Sequence, residues 1–140
     1  MKRALILLSF LTIFIAVQAQ NKKSVIDTPH IKIHCDLPSI VTLGQSIKLK
    51  VKVSHNLPHE KTGQLTLALI NPQTKKSVDG WFVNIFPFQY FTTIQNEQFE
   101  TEFPFTVPYD YVGKFDLEIV ARVNEIKDSI HFSISTKKAK

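Results

Sequence analysis

The chain has 140 residues, 44% of them apolar and 21% charged, with one Cys and a formal charge of +5. That is one domain's worth of sequence, too apolar for intrinsic disorder and too poor in Cys for a disulfide framework or a Cys-rich zinc module. Eleven Phe against four Gly exclude collagen-like and flexible low-complexity chains.

Lys2 and Arg3 precede an almost wholly apolar run over residues 4–17. Val17-Gln18-Ala19 then offers small residues at the −3 and −1 positions of a signal peptidase. This pattern predicts a secretory signal over residues 1–19. The apolar run is shorter than the roughly 20 residues of a spanning helix, which argues against an uncleaved anchor. Cys35 lies far downstream, so a lipid-modified N-terminus is not expected. The expected product is an exported protein, periplasmic or secreted, with no integral membrane segment once the signal is removed. Residues 20–29 are a polar lead-in with little to bury, expected to be loosely ordered.

From residue 30 onward the chain alternates with period two. Ile31, Ile33, Cys35 and Leu37 fall on one side. In the stretch 46–54, Ile47, Leu49, Val51 and Val53 oppose Lys48, Lys50 and Lys52, the signature of a half-buried strand. Leu65, Leu67 and Leu69 continue the rhythm. Residues 79–92 break it: Trp81, Phe82, Phe86, Phe88, Tyr90 and Phe91 make both sides apolar, and Pro87 is expected to divide the segment into two short strands. Phe99, Phe103, Phe105 and Val107 oppose Glu100 and Glu102; Phe115, Leu117, Ile119, Ala121 and Val123 follow; Ile130, Phe132 and Ile134 close the series. Residues 137–140, KKAK, read as a solvated basic tail.

Helical periodicity is absent, and turn residues separate the runs. About seven short strands at this spacing predict an all-β, immunoglobulin-like antiparallel β-sandwich over residues 30–136. If the strands follow the immunoglobulin order, Lys48, Lys50 and Lys52 face Glu100 and Glu102 across one sheet surface. Such pairs contribute roughly 0.2–1 kcal/mol each.

Reaction chemistry is hard to find. His30 and His34, four apart on a strand, stand about 13 Å from each other and cannot share a metal. His55 and His59 flank Pro58 and read as solvated loop histidines, although they could approach each other. Cys35 is in phase with the apolar face and reads as a small buried hydrophobe. No G-x-S-x-G elbow, phosphate-binding glycine loop or H-E-x-x-H occurs. The carboxylate pairs Glu100/Glu102 and Asp116/Glu118 lie on polar strand faces. A non-enzyme with no cofactor and no metal is expected, and the mild charge does not suggest a nucleic-acid partner.

One resemblance adds to this reading. Leu65, Leu67, Leu69, Asn71-Pro72, Thr74, Val78-Asp79-Gly80-Trp81-Phe82, Asn84, Phe86-Pro87, Gln89-Tyr90-Phe91-Thr92, Phe103, Val107-Pro108, Ala121 and Asp128 resemble the macroglobulin-like domains of the bacterial alpha-2-macroglobulin family. The similarity covers residues 63–135, and its W-F, F-P and Q-Y-F-T spacing is the specific part. It implies the sandwich fold, export and a binding or structural role. The single Cys is followed by Asp36-Leu37-Pro38, so no thioester motif is present, and one module's length leaves no bait segment. Protease trapping is therefore not carried over.

Two functions of different class remain. The first is a non-catalytic module that contacts another exported protein, with Trp81, Phe82, Phe86, Phe88, Tyr90 and Phe91 as the candidate surface and strand addition at an open edge as one route. The same rings could instead fill the core, since apolar residues on both sides of a strand are also what a covered segment needs. The second is a carbohydrate-binding or adhesion module with Trp81 and Tyr90 as stacking platforms, an inference by fold-level analogy.

Overall fold

The computed structural model describes residues 28–140. The expected signal at 1–19 and most of the 20–29 lead-in lie outside the described residues.

Eight strands and no helix make up the described chain. They are β1 (Ile31–Cys35), β2 (Ile40–Thr42), β3 (Ser46–His55), β4 (Lys61–Ile70), β5 (Phe88–Thr93), β6 (Gln98–Thr106), β7 (Lys114–Val123) and β8 (Ile126–Lys137). They form a three-stranded sheet in the order β1-β3-β6 and a five-stranded sheet in the order β2-β8-β7-β4-β5. All pairings are antiparallel except β2 with β8. Strand β2 spans three residues, too few for alternation to show, and is the strand that raises the count from seven to eight. Lys137, expected in the tail, is instead the last residue of β8, opposite Thr42.

The two sheets close over the alternating apolar faces. Leu49, Val51, Phe103 and Phe105 from one sheet meet Leu65, Leu67, Leu69, Phe91, Phe115, Leu117, Ile119 and Ile134 from the other, all buried. Each such side chain contributes roughly 1.5–3 kcal/mol by leaving water. Cys35 is buried among them, as its phase requires. On the opposite surface of the smaller sheet, Lys50 stands opposite Glu102 and Lys52 opposite Glu100, with Lys52 Nζ 3.6 Å from Glu100 Oε2. Lys48 stands opposite Pro104 and has no such carboxylate across from it.

Two expectations need correcting. Residues 79–83 form turns and 84–86 are irregular, so Pro87 marks the entry to β5 and does not divide two strands. The cause is Asp79. Its Oδ1 accepts the Leu69 amide at 2.9 Å and the Asn84 side-chain amide at 2.8 Å, and its Oδ2 accepts the Ser77 hydroxyl. The Leu69 amide of β4 is thus taken by a carboxylate where a neighbouring strand would have paired it, and the same carboxylate holds the Ser77 and Asn84 side chains in the turn.

The second concerns His55, which is not a solvated loop residue. It ends β3 and is 2% exposed. A carbonyl only accepts, so the 2.9 Å contact to Thr93 O makes Nε2 the protonated nitrogen, while Nδ1 has no partner among the described residues. His59 is exposed.

Candidate interaction surface

The β4–β5 loop points its two consecutive aromatics in opposite directions. Phe82 enters the core, 4.9 Å from Tyr111 and 4.7 Å from Phe115 by ring centroids. Its carbonyl accepts the Thr106 amide of β6 at 2.7 Å, which ties the loop to the other sheet. Trp81 stays half exposed at 51%, edge-on to Tyr111, with its indole N–H donating to Asp110 Oδ1 at 3.2 Å.

Strand β5 then alternates. Phe91 points inward and is buried; Phe88 and Tyr90 point outward, 43% and 63% exposed, in a T-shaped pair with centroids 5.0 Å apart. Phe86, in the loop before β5, is exposed as well. The six candidate residues therefore divide. Phe82 and Phe91 are core and leave the surface; Trp81, Phe86, Phe88 and Tyr90 remain on it. Within β5 the reason is that successive side chains alternate between faces, and a two-layer sandwich buries one of them.

The surface also holds residues that the aromatic pattern passed over. Val83, Ile85 and Ile94 are exposed, so seven of the ten large exposed hydrophobics among the described residues fall between 81 and 94. Tyr109 and Val112, on the β6–β7 loop, are two of the others. The signal for this was present in the sequence: from Gly80 to Asn96 the chain has no charged residue.

The four sheet edges differ in how they are covered. On β1 the Ile33 amide donates to Asp128 Oδ2 at 3.1 Å, and β2 is only three residues long. On β6 the bond from Val107 N to Gln45 O makes the odd residues pair with β3, so Pro104 places its missing N–H on the outer edge. Glu102 O accepts from Gln89 Nε2 at 2.9 Å, and the Thr106 amide is taken by Phe82. On β5 the bond from Leu67 N to Pro87 O fixes the same parity: odd residues pair with β4, and Phe88, Tyr90 and Thr92 aim N–H and C=O outward. Among the described residues no charge, proline, bulge or covering chain protects this edge, the devices by which sheet proteins prevent strand pairing.

Near Trp81 an open cleft of about 490 Å³ is bounded by Asn71, Gln73, Asp110, Tyr111 and Lys114. Among the described residues no three His, Cys, Asp or Glu side chains come together as a metal site. Burial pushes the Cys35 thiol up to about 11, and the adjacent Asp36 carboxylate adds to the effect. Among the described residues no helix is long and apolar enough to cross a membrane.

No protein-family model and no curated protein match the chain. Solved structures do. The CARDB domain of a Pyrococcus furiosus protein, solved in complex with di-metal ions, is 12% identical with a TM-score of 0.58, over 78% of this chain and 89% of that one. Its solution structure gives 12% identity and a TM-score of 0.54, over 77% and 94%. A chain from the human seminal-plasma complex of zinc 2-glycoprotein with prolactin inducible protein is 8% identical with a TM-score of 0.55, over 77% and 94%. At these identities the likeness shows the fold, an immunoglobulin-like β-sandwich, and nothing finer.

Proposed function

We propose that this chain is an exported, non-catalytic β-sandwich module that acts through protein–protein contact at the β5 edge. The carrying observation is the coincidence of an unprotected edge strand with Phe86, Phe88 and Tyr90 exposed beside it. Unpaired backbone groups recruit a partner strand, and the rings supply apolar area. Export rests on the charged and apolar pattern of residues 1–19. The absence of catalysis is supported by the Cys35 thiol, which stays protonated and buried at neutral pH. The macroglobulin-like pattern of residues 63–135 favours a larger exported protein of that kind as partner.

The experiment is affinity capture from the exporting compartment with wild type and a Phe88→Ser, Tyr90→Ser variant, each checked for sheet content by circular dichroism. Partners held by wild type and lost by the folded variant support the reading. Equal capture by both refutes it.

A second reading is favoured by the cleft at Trp81, where a half-exposed indole lies beside Asn71, Gln73 and Asp110. That grouping suits a saccharide, whose C–H face packs on a ring while its hydroxyls meet amide and carboxylate oxygens. Trp81 is the only Trp, so its fluorescence reports the site directly. A saturable emission change on oligosaccharide titration, abolished in Asp110→Ala, supports this reading; a flat response removes it.

A further inference from the structure

We propose that the occupant of the β5 edge is a second copy of β5, paired antiparallel about a two-fold axis through Tyr90. This rests on the reading of β5 as a contact surface and names its partner.

The parity of the edge sets the register. Phe88, Tyr90 and Thr92 carry the outward N–H and C=O groups, since the odd residues already pair with β4. A two-fold axis at Tyr90 sets Tyr90 opposite the partner copy's Tyr90, and Phe88 opposite its Thr92. All three pairs are then hydrogen-bonded pairs, with about six new backbone bonds. Isologous contacts of this kind close on themselves, so the product is a dimer and not a fibre.

The side chains fit the same axis. Phe88, Tyr90 and Thr92 all project from one face of the sheet. The large Phe88 meets the small Thr92, and the two tyrosines meet each other as a cross-strand aromatic pair. One step further out, exposed Phe86 stands opposite the partner copy's exposed Ile94. The apolar side chains that water now covers thus cover one another.

Charge points to self-pairing too. Directly apposed like charges destabilise strand pairs, and a two-fold axis puts the same neighbourhood on both sides. From Gly80 to Asn96 there is none to repel. Of the other edges, β1 has its Ile33 amide already taken by Asp128, and β6 has Glu100 and Glu102 and would oppose its own carboxylates.

The test is sedimentation of the purified full chain over a concentration series, together with cysteine cross-linking. Wild type is expected to dimerise reversibly. Tyr90→Lys places two ammonium groups at the axis, and Thr92→Pro deletes an outward N–H while sparing the β4 ladder; each is expected to raise the dimer dissociation constant about tenfold or more. Circular dichroism of both variants identifies any that fails to fold, and the other then decides.

Tyr90→Cys is expected to form an intermolecular disulfide, since facing Cα atoms of such a pair stand about 5.5 Å apart. Phe88→Cys alone is not, whereas Phe88→Cys with Thr92→Cys is. Wild type with its buried Cys35 is the control. A monomeric wild type overturns the proposal, as does a dimer indifferent to both variants or one that cross-links from Phe88→Cys alone. If the chain stays monomeric yet loses captured partners in the Phe88→Ser, Tyr90→Ser variant, self-pairing fails while the contact reading stands.

Discussion

Cys35 links burial to pH. Its thiol is held up to about 11 from 9.0, chiefly by burial, while the unfolded thiol titrates normally. Between those values the unfolded chain binds fewer protons than the native one, so stability falls as pH rises. The loss is on the order of 2 kcal/mol across that window. Tyr111, raised by burial and by Asp116, acts in the same direction. Urea unfolding at pH 8 to 10.5 is expected to show this decline, and Cys35→Ala is expected to make it shallower.

Val83 is strained in another way. Its φ of 54° lies in the left-handed region, which a β-branched residue rarely enters. Flanking bonds hold it there, from Phe82 N to Val78 O at 3.0 Å and from Asn84 N to Asp79 O at 2.9 Å. Asn tolerates this conformation, and Val83 is half exposed, so little packing is lost on replacement. Val83→Asn is expected to raise stability by about 1 kcal/mol, measured by urea unfolding. An unchanged or lower midpoint contradicts the strain argument.

Among the elements, β4 and β5 depend on one glycine. Gly63 stands opposite Phe91, whose ring lies across the strand backbone. A Cβ at Gly63 would lie 2.4 Å from Phe91 Cζ and 2.6 Å from the Arg122 carbonyl oxygen of β7. The latter is backbone and cannot swing aside. Gly63→Ala is therefore expected to cost about 1–3 kcal/mol by overpacking, read from thermal or urea unfolding. A neutral result would mean that β5 shifts freely on β4.

The β4–β5 loop and β5 also account for the residue pattern of 79–92. Asp79 and Asn84 tie the turn, Phe82 and Phe91 fill the core, and Gln89 bonds to Glu102 O of β6. Most of that pattern thus serves the join between the two sheets. What it leaves outside, Trp81, Phe86 and Tyr90, is exposed. Strand existence was legible at this scale because a strand that buries one face writes period two into its side chains. The turn at 79–83 was not, because an apolar run looks alike whether it pairs as a strand or is held by one carboxylate.

At the scale of the whole molecule, core and surface aromatics separate by energy. Phe82→Ala empties a fully buried site between Tyr111 and Phe115 and is expected to cost about 3–5 kcal/mol. The Phe88→Ser, Tyr90→Ser double variant touches only outward rings and is expected to cost about 1 kcal/mol or less as a monomer. Parallel urea curves with equal slopes check both. Similar costs would mean that the outer pair belongs to the core.

Local alternation along the chain determined the all-β class and the burial of Cys35, since each depends only on which face a residue occupies within its own strand; the facing of Lys50 and Lys52 toward Glu102 and Glu100 needed the pairing of β3 with β6 as well. The tertiary structure alone decided that β5 lies at an edge, that Pro104 shields β6 while nothing among the described residues shields Phe88, Tyr90 and Thr92, and that His55 is buried against Thr93 O. Strand order and hydrogen-bond parity join residues far apart in the chain, and no local periodicity encodes which strand is left without a neighbour.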